Sequence, residues 1–133
     1  MIFVDASAIV ALISKEPEWP ELTGRLERQA LRATSGLAVF EATLALARKG
    51  GSTPEEAQKL VLGFLEEASI EVRPIVEETA ILAIDAHARY GEGRHPAGLN
   101  MGDCFAYACA KLSGAVLLYK GADFDATDLR SGA

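Results

Sequence analysis

The residues of this sequence that could do chemistry are four carboxylates, Asp5, Glu41, Asp103 and Asp123. Each lies beside a segment with a clear strand or helix pattern, although the four are far apart along the chain. If the fold gathers them, they repel one another strongly unless cations lie among them. All-oxygen ligand sets suit Mg²⁺ or Mn²⁺, which can activate water and stabilise both the attacking and the leaving oxygen of a phosphodiester. The residue types therefore indicate metal-dependent phosphodiester hydrolysis.

Two of these carboxylates follow uninterrupted apolar runs. Residues 2–4 (IFV) lead directly into Asp5, and residues 115–119 (AVLLY) precede Asp123. Such runs predict strands buried on both faces, as in a parallel sheet covered by helices. Because ligand crevices of open parallel sheets lie at the carboxyl ends of the strands, we expect both acids at one edge. A buried carboxylate there has to be paired, hydrogen-bonded or metal-bound, since an isolated buried charge is strongly unfavourable.

The other two carboxylates belong to predicted helices. A strand over 33–35 precedes a helix over 37–49. The expected buried face of this helix comprises Leu37, Phe40, Leu44 and Ala47. Glu41 adjoins that face, and its spacing fits a solvated surface position and a place in the crevice equally well. Asp103 begins a helix whose apolar face is Phe105, Ala108, Cys109 and Leu112. Aspartate is a favoured helix cap, and a metal ligand can occupy the same position, so capping does not decide its role.

The remaining segments complete an alternation of strands and helices. Helices are predicted from Ala6, over 20–31, from Thr53 as N-cap with a capping box to Glu56, and over 77–90. The Thr53 helix has the apolar stripe Ala57, Leu60, Val61, Phe64, Leu65 and Ala68, and the 77–90 helix has Ile81, Ile84 and Ala88 on one face. Residues 70–74 alternate like an edge strand. Strands alternating with helices predict an α/β fold with a mainly parallel central sheet.

A glycine-rich stretch over 91–98 separates the last two predicted helices. Together with the end of the preceding helix it carries Arg89, Arg94 and His95. Two interpretations stay open, a solvated loop and a mobile basic arm that contacts phosphate.

Composition narrows the class of protein. A chain of 133 residues falls in the range of a single domain, and half of its residues are apolar. The net charge of −6 argues against coating nucleic acid by bulk charge, but metal-binding carboxylates contribute to that charge, so a nuclease is not excluded. Cys104 and Cys109 lie too far apart on one predicted helix for a disulfide, which suits a reducing compartment. No run approaches the roughly 18 apolar residues of a membrane span, and no signal peptide is evident, so a cytoplasmic location without membrane association is expected.

Several competing chemistries lack their residues. The sequence contains neither Gly-x-Gly-x-x-Gly nor Gly-x-x-x-x-Gly-Lys, which argues against nucleotide-cofactor and P-loop proteins. It contains no Gly-x-Ser-x-Gly elbow, and two isolated histidines give no zinc pair. A receiver-type signalling domain needs adjacent acidic residues after its first strand, which Asp5-Ala6-Ser7 does not provide.

Four motifs, in this order, carry a family resemblance. They are VDASA at 4–8, Glu41 in the second strand–helix unit, LNMGDCFAYA at 99–108, and LLYKGADF at 117–124 followed by Thr127-Asp128. The sequence resembles the PIN-domain ribonucleases, most nearly the VapC toxins of bacterial toxin–antitoxin pairs. The likeness covers essentially the whole chain, as a single PIN domain over 1–133.

The resemblance implies a three-layer α/β/α fold and an endoribonuclease that requires Mg²⁺ or Mn²⁺. Asp5, Glu41, Asp103 and Asp123 match the acidic quartet that holds the metal, and Ser7 matches the hydroxyl residue that supports the first aspartate. The implied substrate is a structured RNA such as tRNA or ribosomal RNA. The RNA-binding candidates are Arg89, Arg94, His95 and Lys120. A homodimer and a VapB-type antitoxin, which brings a basic residue against the carboxylates, are the implied partners.

Two departures from the family pattern keep an alternative open. Gly121-Ala122 stand where relatives often carry a further acidic or polar residue, and Gly98 stands where they often carry a basic one. The first departure weakens a second metal position, and the second affects RNA affinity. The alternative is a non-catalytic module on the same fold that binds RNA or a protein partner.

Overall fold

The computed structural model describes residues 1–129, which form an alternating series of strands and helices. In chain order the elements are β1 (Ile2–Val4), α1 (Ala6–Ser14), α2 (Trp19–Glu27), β2 (Arg32–Ser35), α3 (Gly36–Gly50), α4 (Pro54–Glu67), β3 (Glu71–Arg73), α5 (Glu77–Tyr90), α6 (Met101–Ser113) and β4 (Val116–Leu118). Residues 130–133, the end of the predicted domain, lie outside the described residues.

The strands form one parallel sheet in the order β3-β2-β1-β4. The central strand β1 pairs on both sides, so that Ile2 lies opposite Arg32 of β2 and opposite Val116 of β4. Because all pairs are parallel, the carboxyl ends of β1, β2 and β4 share one edge. The expected parallel α/β architecture is confirmed, and β3 is the edge strand that the alternation over 70–74 predicts.

Two apolar clusters cover the two faces of the sheet. Ile2 and Val4 of β1 pack with α1, α2, α3 and α4, whereas Phe3 packs with α5 and α6 on the other side. Successive strand residues point to opposite faces, so a strand with no polar residue can serve both clusters. The result is a three-layer α/β/α sandwich with a central sheet.

The buried faces of several helices differ from the prediction. In α3 the predicted apolar stripe was partly wrong: Ala47 is buried as predicted, but Phe40 is 60% exposed and Leu44 is also exposed, and the other buried residues are Ala38, Ala42 and Leu46. Small alanines let α3 pack closely against α1 and the sheet, and the large side chains then point outward.

Other apolar side chains also lie on the outside. Leu60 of α4, Leu112 of α6 and both isoleucines of α5 are exposed, with Ile81 at 58% and Ile84 at 69%. The helix predicted over 20–31 ends earlier, at Glu27. The cysteines are free, with Cys104 buried and Cys109 half-buried. Among residues 1–129, none of the helices combines the length and the apolar character that a membrane crossing requires.

Candidate active site

Asp5 lies at the carboxyl end of the central strand and is 6% exposed. Its side chain caps α1, because Oδ2 accepts a hydrogen bond from the backbone N–H of Ser7 at 3.0 Å. The Ser7 hydroxyl donates a second hydrogen bond to the same oxygen at 2.5 Å. Burial raises the pKa of Asp5; the hydrogen bonds from Ser7 oppose this rise, and the charge of Asp123 adds to it. Asp5 is therefore a buried carboxyl group that Ser7 orients.

Ser7 also joins the first helix to the segment after β4. Its Oγ accepts a hydrogen bond from the backbone N–H of Lys120 at 3.0 Å, while its hydroxyl proton points to Asp5. The backbone N–H of Asp5 in turn donates to the carbonyl of Leu118 at 2.9 Å. These bonds fix the start of the segment that carries Asp123 relative to Asp5.

Glu41 enters the site from the second turn of α3. This helix begins directly after β2, where Ser35 caps it by accepting a hydrogen bond from the backbone N–H of Ala38 at 3.1 Å. Burial, followed by repulsion from Asp5 and Asp103, raises the pKa of Glu41 to about 7. Of the two positions that its spacing allowed, Glu41 therefore occupies the crevice and not the solvated surface.

Gly102 makes room for the Glu41 carboxyl group. A methyl group at Gly102 would overlap the Glu41 carboxyl group, 2.6 Å from its Cδ, so that the carboxyl group would have to move. Gly102 lies within the motif at 99–108, and no role for it was predicted from the sequence. The available signal was a glycine in the first turn of a helix, where it costs about 1 kcal/mol relative to alanine.

Asp103 both caps α6 and faces the other acids. Its backbone N–H donates to Oδ1 of Asn100 at 2.9 Å, and its Oδ2 accepts from the backbone N–H of Asn100 at 3.2 Å, which forms a capping box. Burial raises the pKa of Asp103 to about 6; the bond from Asn100 opposes the rise, and the charges of Asp5, Asp123 and Glu92 add to it. Asp103 thus caps α6 and lies within electrostatic reach of the other acids, while its role as a metal ligand stays a prediction.

Asp123 lies in the exposed segment after β4. Its charge raises the pKa of both Asp5 and Asp103, so the structure brings it within electrostatic reach of the other two aspartates. Three carboxyl groups are thus held by secondary structure, and the fourth is on a loop.

The donor set fits a hard divalent cation. The groups are all carboxylates, they repel one another, and no salt bridge within residues 1–129 joins any of the four to a basic side chain. A cation would relieve this repulsion. Their spacing is wider than a closed coordination sphere, because no three His, Cys, Asp or Glu side chains of the described chain lie close enough together to hold a metal ion.

Unlike the four acids, the basic residues predicted to bind RNA lie in separate parts of the structure. Lys120 pairs with Glu16 at 3.2 Å and with Glu18 at 3.4 Å, on the side of α1 and α2. Arg89 donates to the Tyr90 hydroxyl at 2.8 Å on the side of α5 and α6. In the 91–98 loop Arg94 is exposed, whereas His95 is half-buried with its ring edge against Tyr90.

Comparisons with known proteins agree with this architecture. A family model described as PIN domain matches residues 2–129. A VapC ribonuclease of Rhizobium meliloti is 45% identical over 97% of this chain and 99% of its own length. Ribonuclease VapC30 of Mycobacterium tuberculosis is 36% identical over 98% of this chain and 97% of its own. The crystal structure of Mycobacterium tuberculosis VapC20, a Sarcin-Ricin loop cleaving toxin, has the same fold. It superposes with a TM-score of 0.76 at 18% identity, covering 99% of this chain and 98% of that one.

Proposed function

The chain belongs to the PIN domain family as an endoribonuclease of the VapC type, and we propose that Asp5, Glu41, Asp103 and Asp123 form its catalytic centre. The observation that carries this proposal is the gathering of these acids at one edge of the sheet, where burial first, and repulsion between the acids second, raise the pKa values of Asp5, Glu41 and Asp103. Such perturbed carboxyl groups are concentrated at functional sites.

We propose Mg²⁺ or Mn²⁺ as the ligand, since both ions prefer carboxylate oxygen. When bound there, such an ion supplies an activated water and charge stabilisation for an RNA phosphodiester. Ser7 holds Asp5, and the capping box with Asn100 holds Asp103. The Glu41 carboxyl group lies close to Gly102. Asp123, on its exposed loop, adjusts to the ion and the substrate.

The proposed partners follow from the same site. The substrate is a structured RNA such as tRNA or ribosomal RNA, and the chain acts as the toxin of a pair in the cytoplasm. A VapB-type antitoxin, with a basic residue against the carboxylates, suits the net charge of −6. A homodimer is supported by the exposed apolar side chains Ile81 and Ile84 of α5 and Met101 of α6, because monomers rarely leave such patches uncovered.

The test is RNA cleavage by the purified chain freed of any copurifying partner. Total bacterial RNA is incubated with Mn²⁺ or Mg²⁺, and new ends are mapped, with EDTA and Asp103→Asn as controls. Discrete cuts that disappear in both controls are expected. If folded, partner-free protein makes no cut with either ion, the chain is a binding module and the catalytic proposal is wrong.

A further inference from the structure

A groove of about 380 Å³ opens from the candidate site along two helices. Ser7 and Glu41, near the start of α1 and α3, line one part of it, while Glu16, just after the end of α1, and Arg48, in the last turn of α3, line another. Its α3 wall is formed by Glu41, Ala45 and Arg48, which lie on successive turns. The small Ala45 leaves the groove open between the acidic site and Arg48.

The basic side chains near Glu16 and Arg48 fall into two groups, those that pair with carboxylates of the chain and one that does not. Lys49 and Lys120 both pair with Glu16, at 2.6 Å and 3.2 Å, and Lys120 also reaches Glu18 at 3.4 Å. Arg48 is exposed, and no carboxylate of residues 1–129 forms a salt bridge with it. The two lysines are thus engaged within the chain, whereas the guanidinium of Arg48 stays available to an external anion.

We propose that Arg48 binds a backbone phosphate of the RNA strand a few nucleotides or fewer from the one being cut, and that the α1–α3 groove is the path of that strand. The inference rests on the proposed function, which puts the reacting phosphate at the carboxylates. Arg48 follows Glu41 by two helical turns, about 10 Å along the axis. A strand that leaves the carboxylates through the groove therefore reaches Arg48 within a few nucleotides. A guanidinium binds phosphate through two parallel N–H bonds, which a lysine cannot reproduce.

Arg48 also lies in the last turn of α3. Any cation there interacts favourably with the helix dipole and stabilises the fold by about 0.3–1 kcal/mol. A loss of activity alone would not separate this structural contribution from phosphate binding. The readout therefore has to be affinity for RNA and its dependence on salt, measured beside thermal stability.

The experiment compares wild type, Arg48→Gln, Arg48→Lys and Arg28→Gln, a matched loss of an exposed arginine at the end of α2. The probe is a fluorescein-labelled single-stranded RNA in EDTA, titrated between 50 and 200 mM NaCl. We expect Arg48→Gln to raise Kd about five- to tenfold and to reduce the slope of log K against log salt by about 0.7. Arg48→Lys keeps the slope and loses part of the affinity, and Arg28→Gln behaves as wild type.

An Arg48→Gln variant with the wild-type Kd and salt slope overturns the inference, whether or not its Tm falls. A polyglutamate peptide serves as a second probe. If Arg48→Gln loses affinity for this peptide but not for RNA, the inference is also overturned, because the groove would then bind an acidic protein. In steady-state cleavage the expected change is a raised KM at unchanged kcat. Wild-type protein that binds RNA but cuts none overturns the proposed function, while the binding comparison still decides the role of Arg48.

Discussion

Carboxylates occur in two contrasting surroundings in this protein. Asp128 accepts a hydrogen bond from the Tyr107 hydroxyl at 2.6 Å and pairs with Lys111 at 2.7 Å, with Arg89 at 3.9 Å. Partial burial acts to raise its pKa, but the bonds from Lys111 and Tyr107 and the two positive charges lower it to about 2. At the sheet edge, burial and repulsion instead raise the pKa of Glu41 to about 7 and of Asp103 to about 6.

The difference separates a carboxylate with a structural role from those that we propose to be functional. Asp128 is fully partnered within the chain, and through Tyr90 and Tyr107 it ties the last described segment to α5 and α6. The acids at the sheet edge have partners that orient them but no cation among the described residues that neutralises them. Burial contributes to the contrast, because Asp5 is buried and Glu41 and Asp103 are half-buried whereas Asp128 is exposed, and the basic partners of Asp128 give its pKa shift the opposite sign.

The largest expected effect is on cleavage. Asp103→Asn should lower kcat/KM for RNA by about 10³-fold or more, because it removes one of the charges that hold the metal. Asp128→Asn is the matched control on the other cluster and should keep activity within about threefold under conditions where it is folded. Steady-state cleavage with Mn²⁺ measures both. Equal losses of kcat/KM in the two variants would show that Asp103 and Asp128 do not differ in their importance for cleavage.

The second prediction concerns the space at Gly102. Gly102→Ala should lower kcat by about 10- to 100-fold, because its methyl group displaces the Glu41 carboxyl group. Glu41→Asp shortens the side chain by one methylene, so the double variant should be more active than the product of the single losses predicts. Gly63→Ala, in the open on α4, is the control and should leave kcat unchanged. Strictly multiplicative losses would show that Gly102 does not position Glu41.

The third prediction is that removing a carboxylate charge changes the free energy of unfolding in opposite directions at Glu41 and at Asp128. In EDTA at neutral pH, Glu41→Gln should raise the free energy of unfolding by roughly 1–2 kcal/mol, because it removes a half-buried, repelled charge. Asp128→Asn should lower it by about 1 kcal/mol, a value reduced for solvent screening of its partly exposed side chain. Urea unfolding followed by circular dichroism measures both changes. Changes of the same sign would contradict the electrostatic contrast.

The smallest expected effect is the change with pH of the differences in free energy of unfolding between wild type and these two variants. The folded pKa of Glu41 is above its unfolded value, so wild type loses stability relative to Glu41→Gln as the pH rises from about 4.5 to about 7. The folded pKa of Asp128 is below its unfolded value, so its contribution is present above about 4 and disappears as the pH falls towards 2. Urea titrations in EDTA at a series of pH values test both windows, and a pH-independent difference for either variant would contradict its assigned shift.

The sequence predicted the parts of the fold that depend on continuous patterns. The apolar run before Asp5 indicated a buried central strand, and the alternation of elements indicated the parallel sheet, because both signals are local. The buried face of α3 was predicted only in part, at Ala47, because Phe40 and Leu44 are more apolar than the alanines that pack inward in their place. Apolar residues at an outer surface and in a core have the same periodicity.

The site was predictable where a carboxylate followed a strand, and less so where it depended on contacts between distant elements. Spacing left Glu41 undecided, since only the approach of α3 to α6 shows which way it faces. Gly102 and the network around Asp128 involve residues far apart in sequence, and nothing local indicates either contact. The catalytic roles of Asp5, Glu41, Asp103 and Asp123 stay predictions.

The central claim is that a divalent cation binds the repelled carboxylates and not the partnered one. Calorimetric titration of Mn²⁺ into partner-free wild type, Asp103→Asn and Asp128→Asn tests it directly. We expect a site in wild type that Asp128→Asn keeps and that Asp103→Asn weakens by about 10-fold or more. Equal Mn²⁺ affinity in wild type and Asp103→Asn, or the absence of a site in folded wild type, would contradict the account.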